Sequence, residues 1–248
     1  MGDTNIKTIY CAGNHDPLNS LSPFKTRELP NGLYVLGGDD ECINFEDDGV
    51  RIYGRSFIDK SLSGKSRFSI DVPKDDIINL MVLHGELKSD LNSNYNAITP
   101  EFVKTSGMDY IALGHVHKKS GILKLDNTSF AYPGCPEGQG FDESGSKGVY
   151  LGEISKGDVN LKFVPCSLRL HVIKKLDLSD SESTEQAYNT IISSLEEEFG
   201  EGFENNLYKL LLTGYSDNPK AIDFSLLDML LKRELYFVKL KNKLRKKI

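Results

Sequence analysis

Cys11-Ala12-Gly13-Asn14-His15-Asp16-Pro17 closes an apolar run from Ile6 to Ala12 with a glycine and then three polar side chains. Ile9 to Ala12 is too short for a helix and is followed at once by turn residues, so the stretch reads as a buried strand that ends at a functional loop. Two later stretches repeat the pattern. Leu80-Met81-Val82-Leu83 runs into His84-Gly85-Glu86, and Tyr110-Ile111-Ala112-Leu113 runs into Gly114-His115-Val116-His117. Three apolar strands of this kind are expected to bring their polar ends together on one edge of one sheet, as an open α/β sheet does at its strand ends.

The ends of these strands hold four of the five histidines of the chain, together with Asn14 and Asp16. Imidazole nitrogen suits manganese, iron and zinc, and an amide oxygen such as that of Asn14 can complete such a shell. The remaining histidine, His171, falls in a later strand and reads as a sheet-surface residue. The acidic run Asp39-Asp40-Glu41 lies between two short strands without a histidine and reads as a solvated hairpin connection rather than a metal site.

With 248 residues, 27% charged and 39% hydrophobic, the chain has room for one sizeable core and a smaller second unit. No apolar run approaches the roughly 20 residues of a membrane span, and the first residues show no secretory signal. Cys11, Cys42, Cys135 and Cys166 are scattered with no C-x-x-C pair, so reduced thiols in a cytoplasmic protein are expected. A net charge of -6 does not advertise general nucleic-acid binding, although bound cations add positive charge where phosphates would sit. The dense basic run Lys239 to Lys247 reads as a solvated tail or helix face, with contact to DNA backbone or an acidic partner as the alternative.

In chain order, Pro17 to Pro30 reads as a polar loop and Leu33 to Gly37 as a strand. Glu41–Phe45 and Val50–Tyr53 form a hairpin turned by Glu46-Asp47-Asp48-Gly49. Lys60 to Pro73 is a polar connection, and Thr99-Pro100 opens a short helix with Thr99 as its cap. Gly121–Leu125, Thr128–Tyr132, Gly148–Ile154 and Val159–Val164 read as an antiparallel meander. From Ser167 a strand (168–173), a helix (183–199), a strand (207–213), a helix (221–231) and a strand (235–240) predict a small α/β module.

Gly13-Asn14-His15-Asp16, His84-Gly85 and Gly114-His115-Val116-His117 resemble the third, fourth and fifth signature motifs of the calcineurin-like metallophosphoesterases. Tyr132-Pro133-Gly134-Cys135-Pro136, Gly140-Phe141-Asp142-Glu143 and Lys147-Gly148-Val149 further resemble the DNA-repair exonuclease branch, the SbcCD-type nuclease subunit. The resemblance implies an α/β fold, the α+β sandwich of the metallophosphoesterase type, N-terminally incomplete, over residues 1–166. It implies a small α/β capping or DNA-positioning domain over residues 167–248.

The same resemblance makes Asn14, His84 and His115 ligands of one metal and His117 a ligand of a second. His15 becomes the catalytic group at the leaving oxygen, with Asp16 orienting its ring. Two divalent ions are implied, Mn²⁺ first and Fe²⁺ or Zn²⁺ as alternatives, in a two-metal phosphodiester hydrolysis. The implied partners are DNA as substrate, an SMC-like ATPase, and a second copy of the chain in a homodimer; no membrane is expected. The family's first two motifs, an Asp-x-His and a Gly-Asp, should precede Gly13, and residues 1–12 supply neither. Gly38-Asp39 spells the second but follows the third on a hairpin, so it is rejected. The chain is therefore expected to be the later part of a longer protein. Competing expectations are a phosphodiesterase or phosphatase for nucleotides or other small molecules, and a non-catalytic interaction protein built on a remnant of the fold.

Overall fold

The computed structural model describes residues 6–61, 68–69, 71–89 and 91–247. Part of the expected connection Lys60–Pro73 lies outside them. The chain divides into two compact units, Met1–Cys135 with Gly148–Val164, and Pro136–Lys147 with Pro165–Ile248. Among the described residues no helix is long and apolar enough to cross a membrane.

In the first unit, β1 (Thr8–Tyr10) pairs in parallel with β2 (Leu33–Val35), and a single-turn helix α1 (Pro23–Thr26) interrupts the segment expected to be loop. The hairpin β3 (Glu41–Phe45) and β4 (Val50–Arg55) forms where the alternation placed it. Its turn is closed by Gly49 at φ 64°, a left-handed position that suits glycine. β5 (Ile78–His84) then lies parallel to β4. After it come the two-residue strands β6 (Glu86–Leu87) and β7 (Ala97–Ile98), which pair with each other, and α2 (Pro100–Thr105), capped by Thr99 accepting from the Phe102 N–H at 3.1 Å. β8 (Tyr110–Gly114) lies parallel to β5, and β9 (Leu123–Leu125) and β10 (Thr128–Ala131) complete a mixed six-stranded sheet of order β3-β4-β5-β8-β10-β9.

The period-two alternation of β5 buries Asn79, Met81 and Leu83 on one face. The register aligns Tyr53, Met81, Ile111 and Phe130 in one row across four strands, and Val103 of α2 closes over the same core. Val82, Tyr110 and Ala112, with Tyr150, Ile154 and Leu161, line an open apolar pocket of about 420 Å³. The last three belong to the hairpin β11 (Gly148–Ser155) and β12 (Asp158–Pro165), a separate two-stranded sheet. The expected single meander is therefore divided: β10 pairs in parallel with β8 in the main sheet. The hairpin turn is pinned by the buried Asp109, which accepts from Gly157 N–H at 3.0 Å, Asn79 N–H at 2.8 Å and the Lys156 ammonium at 3.2 Å.

The second unit is a βαβαβ module. β13 (His171–Asp177), β14 (Leu207–Thr213) and β16 (Phe237–Asn242) form a parallel sheet of order β13-β14-β16 with crossover helices α3 (Thr184–Phe199) and α4 (Phe224–Glu234). Ser183 and Asp223 cap the two helices through their side-chain oxygens. Tyr208, Leu210 and Leu212 of the central strand pack against Ala187, Ile191, Leu195, Leu227 and Leu231 of the helices. The basic run beyond Lys239 is neither tail nor helix. It continues β16 and then forms β17 (Arg245–Lys246), which pairs with β15 (Tyr215–Ser216).

His171 is buried, not a sheet-surface residue, and among the described residues its Nδ1 has no hydrogen-bond partner. Phe141 packs edge-on against its ring at a centroid distance of 5.3 Å. All four cysteines are free thiols.

Candidate metal centre

The three strand ends do meet, but not on one sheet. β1 belongs to the small β1–β2 pair, whereas β5 and β8 are neighbours in the main sheet. Ser56, just beyond β4, joins the two: its hydroxyl donates to Leu36 O at 2.6 Å and accepts from Ala12 N–H at 2.9 Å. The Phe57 N–H then donates to Ala12 O at 3.0 Å. Because β4 lies beside β5, this stitching delivers the loop after Ala12 to the end of β5. Parallel pairing of β5 with β8 sets His84 level with Gly114, and His115 follows immediately.

Asn14 Oδ1 lies 2.7 Å from His84 Nε2, and His115 Nδ1 lies 3.2 Å from the same nitrogen. Asn14 is buried and both histidines are partly so. The His84 ring sits between two glycines. A Cβ on Gly13 would stand 2.6 Å from its Cε1, and one on Gly114 would stand 3.1 Å from its Nδ1. Phe57 and His115 meet the ring edge-on at 5.3 and 5.0 Å. His115 is held at φ 95°, a conformation that costs a non-glycine residue about 1–3 kcal/mol and is concentrated at functional sites.

Burial first, and the neighbouring His115 second, push the His84 imidazole down to about 4; His15 and His117 act in the same direction and Asp16 opposes them. The ring is therefore neutral at physiological pH, with a nitrogen lone pair available to a cation. For ligand bonds of about 2.1 Å, adjacent ligands of an octahedral ion lie about 3.0 Å apart. The observed separations of 2.7 and 3.2 Å bracket that spacing, so the donor set of amide oxygen and two imidazole nitrogens fits a divalent metal.

The other predicted residues lie around this triad. His15 is exposed on the loop. Among the described residues the Asp16 carboxylate makes no hydrogen bond to His15. It accepts from Gly13 N–H at 2.9 Å and from the Tyr10 hydroxyl, which fixes the turn itself. A turn this short closes best by a side chain bonding back to its own backbone, and Asp does this readily. His15 and Asp16 also line a cavity of about 510 Å³ with Tyr10, Pro17 and Phe24. His117 is exposed beyond the triad, and its carbonyl accepts the Cys135 thiol at 3.8 Å.

Sequence reasoning assigned no role to Glu86, Tyr95 or Asn96. Glu86 Oε1 is 3.4 Å from His115 Nε2, Tyr95 stacks on the His115 ring at 4.9 Å, and the Asn96 amide donates to His84 O at 2.9 Å. Lys88 chiefly, aided by Ser93, holds the Glu86 carboxyl below its usual range. For Glu86 the signal was present, since residues 84 and 86 share a face of an extended chain; Tyr95 and Asn96 arrive by a loop that no periodicity marks.

No family model matches the chain. The chain is 32% identical over 172 residues to a protein of Bacillus subtilis (strain 168) named uncharacterized metallophosphoesterase YhaO; the match covers 66% of this chain and 40% of that protein. It is 27% identical over 188 residues to the DNA double-strand break repair protein Mre11 of Methanopyrus kandleri, covering 66% of this chain and 41% of that protein. Both relatives support the metallophosphoesterase superfamily. The chain spans about two fifths of the length of these curated relatives. The mixed central sheet with few helices is consistent with a metallophosphoesterase-type α/β fold.

Proposed function

We propose that this chain carries the histidine side of a metal-dependent phosphoesterase centre that acts on DNA phosphodiesters. The observation that carries the reading is the convergence of Asn14 Oδ1, His84 Nε2 and His115 Nδ1 within 2.7 and 3.2 Å from three separate strand ends. Asn14, His84 and His115 would hold one divalent ion, taken as Mn²⁺, and His117 would serve a second. Bound ions of this kind neutralise phosphoryl charge and lower the pKa of a water.

The remaining roles belong to the chain itself. Gly13 and Gly114 hold the His84 ring in place by close approach. The Asp16 and Tyr10 contacts keep the loop closed, so that His15 projects from a fixed turn and can supply a proton to the departing alkoxide. DNA as substrate is supported by the name of the Methanopyrus relative. The same reading includes a capping role for the second unit, an SMC-like ATPase and a second copy of the chain as partners, and the cytoplasm as compartment, which suits four free thiols.

Calorimetric titration with Mn²⁺ and cleavage of a DNA oligomer test the assignment. In a protein extended to carry the Asp-x-His and Gly-Asp motifs, His84→Ala is expected to weaken Mn²⁺ binding, whereas His15→Ala leaves binding intact and slows cleavage by roughly 10²–10⁴-fold; this chain alone is expected to cleave little. Cleavage that survives both chelation and His84→Ala would sink the reading. Faster turnover of a nucleotide phosphodiester than of DNA would transfer it to small substrates.

A further inference from the structure

Immediately after His84 the backbone of β6 is pinned from both sides. The buried Tyr132 hydroxyl donates to Gly85 O at 2.8 Å and accepts from the Leu87 N–H at 2.9 Å, which brackets Glu86. The Glu86 N–H itself donates to Asn96 O at 3.1 Å, and the Lys88 N–H donates to Ile98 O at 2.9 Å. Glu86 is thus held at its backbone before its side chain makes any contact, so the fold decides where its carboxylate points.

That carboxylate has two different sides. Oε2 accepts from the Ser93 hydroxyl at 3.0 Å and from the Lys88 ammonium at 3.1 Å. Both donors are anchored in turn: Ser93 Oγ accepts the Tyr95 N–H at 2.9 Å, and Lys88 Nζ donates to Asn92 O at 3.4 Å. Oε1 faces His115 Nε2 at 3.4 Å. The other nitrogen of the same ring, Nδ1, faces His84 Nε2 at 3.2 Å. The Tyr95 ring covers one face of the imidazole, with centroids 4.9 Å and planes 29° apart, and so opposes its rotation.

We infer that Glu86 is a positioning residue that keeps the His115 proton on Nε2 and so leaves the Nδ1 lone pair for the metal. A neutral imidazole carries one ring proton, and the partner of one nitrogen decides what the other can do. With the proton on Nε2, the N–H meets a carboxylate oxygen that can only accept. With the proton on Nδ1, a lone pair would face that oxygen, and the N–H would donate to His84 Nε2. Both nitrogens that an ion needs would then be occupied by each other. Attraction on one side of the ring and repulsion on the other therefore select the same tautomer. A carboxylate behind a ligating imidazole works in this way generally, fixing the ring and raising its basicity. Glu86 acts from the far side of the ring and is not itself a ligand of that ion. The inference rests on the reading of His115 as a metal ligand.

Glu86→Gln tests it, because Lys88 and Ser93 both donate to the Oε2 position. The amide oxygen takes that place, and the NH₂ group turns towards His115 Nε2. The facing atom changes from acceptor to donor while the shape is kept, so the His115 proton is expected to move to Nδ1. Two-bond ¹H–¹⁵N correlation spectra of the metal-free chain with ¹⁵N-labelled histidine, at about pH 8, read the tautomer directly. The His115 signals are assigned by their loss in His115→Gln. Calorimetric titration is expected to show Mn²⁺ affinity about 10–100-fold lower in Glu86→Gln. Glu86→Ala, which removes the acceptor without supplying a donor, should fall between Glu86→Gln and the wild type. Lost packing would make alanine the worse variant, and lost charge would make the two equal; either order overturns the inference. So does a His115 proton on Nδ1 in the wild type, a measurement that needs no variant, or one that stays on Nε2 in Glu86→Gln. Mn²⁺ uptake indifferent to Glu86 would overturn the inference and leave the metal reading standing. No Mn²⁺ uptake by the wild-type chain would instead remove His115 as a ligand, and the inference with it.

Discussion

Replacing Gly13 by alanine tests whether the His84 ring is held by close packing. The backbone at Gly13 lies outside the left-handed region, so alanine is conformationally acceptable and only its methyl group matters. That methyl would stand 2.6 Å from His84 Cε1, 2.7 Å from Nδ1 and 3.0 Å from Nε2, against an optimum of about 3.5–4.0 Å. Ring or loop must therefore yield by about 1 Å. The ring has little room: Gly114, Phe57 and His115 confine it. A shift of that size breaks the 2.7 Å contact with Asn14.

Overpacking costs about 1–3 kcal/mol and the broken hydrogen bond about 0.5–1.5, while the stiffer unfolded chain returns about 0.4–1. Gly13→Ala should thus destabilise by about 0.5–4 kcal/mol, with about 2 as the central value, and weaken Mn²⁺ binding by about 10–100-fold, as loss of a ligand's orienting contacts does. Gly114→Ala, whose methyl would come only to 3.1 Å, should cost less than about 1 kcal/mol. Urea denaturation of the metal-free proteins gives the first quantity and calorimetry the second. Equal effects of the two substitutions, or wild-type stability and Mn²⁺ affinity in Gly13→Ala, would refute the pinned-ring reasoning.

Three further outcomes follow from the same geometry. With the folded His84 pKa near 4 and the unfolded value at 6.5, the unfolded chain binds more protons between these limits, so the contribution of His84 is complete above pH 6.5 and declines as pH falls towards 4. Urea midpoints at pH 7, 5.5 and 4.5 should fall less steeply in His84→Asn; identical slopes would discount the buried neutral imidazole. Asp109→Ala strips the Asn79 and Gly157 N–H groups of their acceptor and should cost about 2–4 kcal/mol, with hydrogen exchange speeding up at Gly157; a cost below about 1 kcal/mol would contradict the pinning of the hairpin. Asp40→Ala leaves Arg55, 7% exposed, without its 2.8 Å partner and should cost about 3–5 kcal/mol, whereas removing both side chains should cost less than the sum of the two single changes.

Much of this was legible because periodicity and punctuation agree locally. Leu80 to His84 and Tyr110 to Gly114 are apolar runs closed by glycine beside histidine, and both are strands whose register sets the histidines together. The strand expected over 207–213 and the cap Thr99 are likewise local signals that the structure uses as expected, and Ser183, expected as the first helical residue, is the cap of α3. What escaped depends on partners distant in sequence. Asp39-Asp40-Glu41 reads as solvated, yet Asp40 is only partly exposed, paired with the buried Arg55, and accepts from Ser69 N–H at 2.8 Å. His171 reads as a surface residue because nothing near it in sequence announces Phe141.

The separation of β1 from the main sheet shows why the site was easier to read than the fold around it. A site needs only that strand ends arrive together, whereas a sheet needs continuous backbone pairing. Here Ser56 supplies the first without the second: one hydroxyl bonds Leu36 O and Ala12 N–H. A side chain can bridge where strands diverge, and no hydrophobic alternation records it. The second layer follows the same logic. Arg55 Nη2, 3.4 Å from Asn96 Oδ1, links the part-buried Asp40–Arg55 pair to the amide that holds the His84 carbonyl. Charge placed on the edge of a hairpin thus reaches the backbone of a proposed metal ligand through two side chains. Polar residues between the recognisable motifs are therefore part of the site's support, and their role becomes visible only once the strands that carry them are paired.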